Sequence, residues 1–278
     1  MAEPPRGIAP EHRNAPPPEP AKDTRLSAAE IHDNILEPAE RELVRPVWAV
    51  LLSALSSGLA IGFSFLAGGY VQLLVPDGLG QAAAAAVYPL GFIFVIMARS
   101  ALFTENTLVP ILPLLNRRDL RTLWRVFRLW GLLLLGNLVG AAIFAWALAS
   151  TPMIDAVLAA PLAKVSMHAT AGGFWLVAYQ AIFAGWLIAL LTWLLGSTRA
   201  TGAQLALIWL ATAPISAFHF RHSIAGSVEA FYRVAIHSAS LGQMAGEFIV
   251  PAVLGNAVGG VIIVALLNYG QVAADRRG

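Results

Sequence analysis

Four long apolar runs, roughly residues 47–69, 129–150, 174–195 and 248–267, dominate what this chain can fold into. Each approaches or exceeds the roughly 20 helical residues that cross a hydrocarbon core of about 30 Å. Two other apolar stretches are too long for one crossing and carry polar interruptions. Residues 82–115 are interrupted at Arg99 and again at Thr104, Glu105, Asn106 and Thr107. Residues 205–236 are interrupted by His219, Phe220, Arg221, His222 and Ser223. Each pattern predicts a helix, a polar break and a second half-helix. Non-helical backbone at membrane depth is tolerated only where protein or a water-filled cavity satisfies it, so the breaks point to a path through the protein. Composition agrees: 58% of the residues are hydrophobic and 12% charged, about half the charged share of a soluble domain. A water-soluble enzyme is thereby disfavoured. The absence of cysteine excludes disulfides, zinc–thiolate sites and iron–sulfur clusters.

The flanks differ from this apolar centre. Residues 1–22 hold seven prolines and no apolar signal-peptide core, which predicts a disordered tail over 1–26 without a cleaved leader. Ser27 and Glu30 form the spacing of a capping box. They open a helix over 27–44 whose Ile31, Ile35 and Leu43 share a stripe, as in a helix lying on the membrane surface. A solvated helix without lipid contact fits equally well. The transport domain is then expected over 45–271, with a short tail at 272–278. With six crossings, fourteen of the basic residues fall on the side that holds both termini, and only Lys164 and Arg233 on the other. By the positive-inside rule both termini are cytoplasmic. The expected location is a bacterial inner membrane.

The sequence also repeats itself. Gly136-Asn137-Leu138-Val139-Gly140 recurs as Gly255-Asn256-Ala257-Val258-Gly259, 119 residues later. The same offset carries Thr104 onto Ser223, so the two breaks correspond. Three crossings per repeat is an odd number, so the halves, about 47–150 and 174–268, are inverted relative to one another. The expected fold is an all-α integral membrane protein of six transmembrane helices in two inverted three-helix repeats, the second and fifth broken. Matching breaks in inverted repeats point to a substrate site near the midplane. The Gly-xxx-Gly spacings permit close helix packing. Asn137 and Asn256 are expected as buried amides that tie the broken segments together.

On Leu102-Phe103-Thr104, the two Gly-Asn motifs and Phe220-Arg221-His222-Ser223-Ile224-Ala225, the sequence resembles the formate/nitrite transporter family. The similarity covers about residues 30–271 and is greatest to a divergent, little-characterised bacterial branch. The resemblance implies an aquaporin-like protomer, a homopentamer in the bilayer and one pore per protomer. It implies a small monovalent anion or its conjugate acid as substrate, and no cofactor, metal or nucleic acid. Carried over by motif, His222 is the central pore histidine and Thr104 faces it. Tyr88 and Ile215 fall at the outer apolar constriction, and Phe92, Leu102 and Phe103 at the inner one. A polar slot between apolar rings excludes hydrated ions and passes a weak acid in its neutral form. Half-helix N-termini at the slot favour an anion, and an imidazole there can donate a hydrogen bond or a proton.

Four intramembrane charges, Arg99, Glu105, Arg221 and Glu229, depart from this pattern and need partners. Glu229 and Arg233 are spaced to pair along a helix, and Glu105 is within reach of Arg99 or Arg221 if the breaks adjoin. Such pairs either brace the breaks or line the pore. Lys164, with His168 nearby, lies in the outer loop where the family places a basic vestibule residue, although its register does not match. Ala101, Arg221 and Gly185 replace an acid, a glutamate and an asparagine of formate-type members. A neutral-solute pore and a non-conducting scaffold plugged by arginine–glutamate pairs remain alternatives. No HExxH, GxSxG or cofactor signature accompanies His222, Ser223 and Glu229, which argues against an intramembrane enzyme.

Overall fold

The computed structural model describes residues 25–75 and 77–276; the Pro-rich segment 1–24, expected as a tail, lies outside them, as do residues 277–278. Among the described residues every regular element is helical. In chain order they are α1 (Ala28–Leu43), α2 (Val47–Leu74), α3 (Leu79–Met97), α4 (Ile111–Arg117), α5 (Leu120–Ser150), α6 (Ala156–Ala169), α7 (Phe174–Leu195), α8 (Thr201–Ala217), α9 (Ser223–Ala235) and α10 (Leu241–Asp275). Five of these, α2, α3, α5, α7 and α10, are long and apolar enough to cross a membrane. The breaks lie between α3 and α4 and between α8 and α9. Residues 272–275, expected as part of a tail, continue α10 and bury Val272.

α2 packs most extensively on α5, and α7 on α10. Glycine permits both contacts, and at equivalent places. A Cβ on Gly58 would lie 2.2 Å from the carbonyl oxygen of Asn137, and one on Gly185 2.2 Å from that of Asn256. Gly185 is thus a contact glycine, the repeat mate of Gly58. Each Gly-xxx-Gly face meets the same kind of surface: Gly136 and Gly140 lie on α2 around Leu51–Leu59, Gly255 and Gly259 on α7 around Ala178–Trp186. With no side chain between them, the backbones approach closely enough for dispersion to hold them.

The repeat is longer at its start than the apolar runs suggest, because the peripheral helices α1 and α6 also correspond. Each ends against an arginine from the bundle. Arg128 donates to the carbonyls of Leu43 and Arg45 (3.2 and 3.1 Å) past the end of α1. Arg221 donates to those of His168 (3.2 Å), Ala169 and Ala171 (3.0 Å) at the end of α6. A cation there meets the partial negative charge of the last carbonyls.

The capping box of α1 is formed: the Ser27 N–H donates to Glu30 Oε2 at 2.7 Å, and the Glu30 N–H to Ser27 Oγ at 3.3 Å. Its buried face, His32, Ile35, Ala39 and Leu43, is used against the protein, so the apolar stripe faces the bundle. Arg276 donates to both Asp33 oxygens (2.7 and 2.8 Å) and joins α1 to the end of α10. The described chain therefore begins and ends at one end, called here the terminal end, and α6 lies at the distal end.

The hydrogen bond with His32, and then that with Arg276, hold the Asp33 carboxyl below its ordinary value. The backbone and hydroxyl of Ser27 do the same for Glu30. Groups with lowered folded values stabilise fully above the ordinary carboxylate range and lose that contribution as pH falls through the folded values. Hydrogen exchange over residues 28–43, corrected for intrinsic rates, should therefore accelerate relative to α5 between about pH 7 and pH 3. Equal protection at both pH values would show that the clasp contributes nothing.

Candidate functional site

Both breaks begin with the same backbone move. Arg99 and His219 adopt left-handed conformations (φ 55° and 58°) just after α3 and α8. The next N–H groups, of Ser100 and Phe220, return to the carbonyls of Val95 (3.0 Å) and Ile215 (2.9 Å). Such a turn at a non-glycine residue is uncommon and closes a helix firmly. The chain then re-enters the bundle, where an amide receives it. Asn137 Oδ1 accepts the Phe103 N–H at 2.8 Å, and its Nδ2 donates to the carbonyls of Ala54 (2.8 Å) and Ala101 (3.0 Å). Asn256 Oδ1 accepts the Ser223 N–H at 2.8 Å, and its Nδ2 donates to those of Ala181 (2.7 Å) and Arg221 (2.9 Å). Both amides satisfy backbone groups that have left their helices. These bonds correct the repeat alignment within the breaks: the offset there is 120, so Phe103 corresponds to Ser223 and Leu102 to His222.

The two breaks are unequal afterwards. α9 starts immediately at Ser223 and runs for 13 residues. After the first break comes only a single 3₁₀ turn, Glu105–Thr107, before the seven-residue α4. Pro110, which has no N–H to donate, marks the start of α4. The expected pair of half-helix N-termini is therefore reduced to one, that of α9.

His222 sits at that N-terminus as its cap. The Ala225 N–H donates to His222 Nδ1 at 3.1 Å, and His222 Nε2 lies 2.8 Å from Thr104 Oγ1. An Nδ1 that accepts a backbone N–H carries no proton, so in the neutral ring the hydrogen is on Nε2 and is donated to Thr104. The pair is buried, at 2% and 0% exposure. The ring of Phe92 meets His222 edge-on, with centroids 4.9 Å apart, and Tyr88 lies against Phe92. Leu102 and Phe103 are fully buried beside Thr104, and the Phe103 ring faces Trp130.

From the distal end a cavity of about 310 Å³ descends to His222, with Tyr88 and Ile215 in its wall. Ser64 Oγ donates to the Tyr88 carbonyl (2.6 Å) and accepts the Gly91 N–H (3.1 Å), fixing α3 where Pro89 interrupts its ladder. At the mouth, His168 Nε2 is 3.1 Å from His219 Nδ1, and His219 Nε2 is 2.5 Å from the Gln81 side-chain amide. Lys164 lines the same mouth.

The intramembrane charges are not partnered as expected. Among the described residues neither Arg99 nor Arg221 pairs with Glu105. Arg221 is held by the α6 carbonyls and by Gln180 Oε1 at 3.0 Å. His219 touches Gln81, near the start of α3, while Arg99 follows the end of that helix. At about 1.5 Å per residue the two breaks turn roughly 25 Å apart, because inversion sends corresponding turns to opposite ends. Glu229 forms no ion pair with Arg233, which instead donates to Thr170 Oγ1 (2.9 Å) and toward the Ser238 carbonyl.

The family model described as formate/nitrite transporter matches residues 29–270. The chain belongs to the formate/nitrite transporter family. It is 34% identical over 249 residues to the inner membrane protein YfdC of Escherichia coli, covering 89% of this chain and 80% of that one. It is 27% identical to a probable formate transporter of Methanothermobacter thermautotrophicus, over 83% of this chain and 91% of the relative. In fold it resembles a structure described as an FNT family ion channel (TM-score 0.74, 20% identity, 88% of this chain and 98% of that chain). It also resembles a pentameric formate channel with formate bound (TM-score 0.69, 21% identity, 81% and 97%). The protein is a multi-pass membrane transporter of this family.

Within this formate/nitrite transporter fold, sequence reasoning missed three polar residues that position the site. Gln180 and Arg128 hold the chain around the two capped helices, and Gln81 holds His219. A lone Gln180 in an otherwise apolar crossing was the one legible signal among them; Gln81 lies near a helix start and Arg128 follows Arg121 and Arg125 in the basic first turns of α5, where polar residues are ordinary.

Proposed function

We propose that this protein conducts or carries small monovalent anions, weak acids of the formate and nitrite kind, through a pore within each protomer. The observation that carries the reading is the Thr104–His222 hydrogen bond at the floor of the distal cavity, with Phe92, Leu102 and Phe103 buried around it. An anion descending the cavity reaches the N-terminus of α9 and two polar side chains able to bind it. Beyond them it meets apolar side chains that oppose a charge and admit a neutral acid. Tyr88 and Ile215 are the constriction of the distal half, and Lys164 contributes positive potential at its mouth. Arg221 lies along the wall with its guanidinium committed to Gln180 and the end of α6. That position favours an open path over a scaffold plugged by an arginine–glutamate pair.

The excess of basic residues expected on the terminal side favours a cytoplasmic location for that end. The expected assembly is a homopentamer in an inner membrane, as the pentameric formate channel of similar fold suggests. Apolar side chains exposed along α2 and α5, among them Leu52, Phe63, Ile143 and Trp146, are available to lipid and to neighbouring copies.

Purified protein in proteoliposomes is expected to take up formate or nitrite at a rate that rises as external pH falls, while a neutral solute of similar size enters no faster than through protein-free vesicles. Uptake of the neutral solute alone would overturn the anion reading.

A further inference from the structure

His222 is poorly placed to carry a proton. Its Nδ1 caps α9 by accepting the Ala225 N–H, so an imidazolium, with hydrogen on both nitrogens, would lose that bond and turn two N–H groups toward each other. It would also place positive charge at the positive end of a helix. The central histidine is built as a neutral donor. A weak acid that crosses in neutral form must obtain its proton elsewhere.

One group in the cavity fits that task. His222, Gly226 and Glu229 are spaced i, i+4 and i+7 along α9, and all three line the cavity. At about 1.5 Å per residue Glu229 stands roughly 10 Å nearer the mouth, so a descending anion passes it first. Its side chain is 8% exposed and makes no hydrogen bond or ion pair among the described residues. An unpaired, desolvated carboxylate is costly, and in an anion path it would also repel the substrate. Arg233, on the same helix, is turned away to Thr170, and Glu247 on α10 is exposed and bonded to Gln243. Among the described residues the other titratable or charged groups facing the cavity are Tyr88 on α3, Lys164 and His168 on α6, and His219, Arg221 and His222 at the second break.

We propose that Glu229 is the proton donor to the incoming anion. The Glu229 O–H bond breaks and its proton passes to an oxygen of the anion, which continues past Thr104 and His222 as the neutral acid and leaves Glu229 as a carboxylate. Arg221 lines the same cavity, and its positive charge favours that carboxylate. A proton from the distal solution, entering through the mouth of the cavity, restores it. One anion and one proton enter together, and no net charge moves.

This inference rests on the anion reading above, and the test separates the two. Formate uptake, internal acidification and the effect of an imposed membrane potential are measured in proteoliposomes of the parent, Glu229→Gln and Glu229→Asp. Assembly of each variant is checked by elution and melting. Parent uptake is expected to be accompanied by protons and insensitive to potential. Glu229→Gln, similar in size but unable to pass on a proton, is expected to lose uptake by roughly tenfold or more, and Glu229→Asp to recover part of it. If Glu229→Gln fails to assemble, Glu229→Met against Glu229→Asp provides the same contrast. A Gln or Met variant with the rate, pH profile and proton coupling of the parent overturns the role of Glu229 and leaves the anion reading standing. A parent that moves neither formate nor nitrite overturns both.

Discussion

Asn256→Leu is expected to prevent assembly of stable protein. The amide makes three bonds, to Ser223, Ala181 and Arg221, and is fully buried where α10 crosses α7. Leucine has similar volume but cannot accept the Ser223 N–H or donate to the Arg221 carbonyl, and both belong to chain that has left its helix. Each buried backbone group left without a partner costs about 1–3 kcal/mol. The branched side chain must also fit a helix contact so close that Gly185 has no room for a Cβ. Several kcal/mol is a large part of the 5–15 kcal/mol typical of a folded protein. Melting and elution in detergent should report a fall well beyond that of an exposed leucine substitution such as Ala171→Leu. Asn137→Leu should behave alike, since Asn137 makes the matching bonds to Phe103, Ala54 and Ala101. A parent-like melting curve for either would mean that the amides do not hold the breaks.

His222→Phe is expected to reduce anion flux to the level of empty vesicles while the protein still assembles. Phenylalanine keeps a planar ring against Phe92 but removes the donor to Thr104 and the cap on Ala225. Loss of a cap costs about 1 kcal/mol, which a packed bundle tolerates. His222→Asn separates the two roles. Asparagine is a strong N-cap residue but too short to reach Thr104 as the imidazole does, so it should restore the melting temperature without restoring flux. Parent-like transport in either variant would remove the histidine from the path.

Much of the architecture was legible because periodicity and charge are local properties of a chain. The crossings, the two breaks, the capping box at Ser27 and Glu30 and the Gly-xxx-Gly faces are all patterns within a few residues. The two amides were legible because they occur twice. The repeat alignment slipped by one residue inside the breaks because irregular backbone has no periodicity to count, and only the bonds of Phe103 and Ser223 to their amides set it. The pairing of charges was misread for a related reason. Glu105 and Arg221 adjoin the bonded Thr104 and His222, yet the Arg221 guanidinium is taken by Gln180 and the end of α6. Glu229 and Arg233 have the spacing of a pair, but Thr170 offered the guanidinium a partner from another element.

The sequence by itself determined that the chain crosses a bilayer, where it must interrupt its helices, and that Thr104 and His222 stand at those interruptions. Hydrophobicity and helical hydrogen bonding leave a chain of this composition few other arrangements. Only the tertiary structure decided which ring nitrogen of His222 accepts the backbone, that Arg221 serves the end of α6, and that Glu229 lines the cavity with no hydrogen bond or ion pair among the described residues. Those outcomes depend on which polar groups from distant elements come within about 3 Å of one another. That competition is settled by packing and leaves no pattern along the chain.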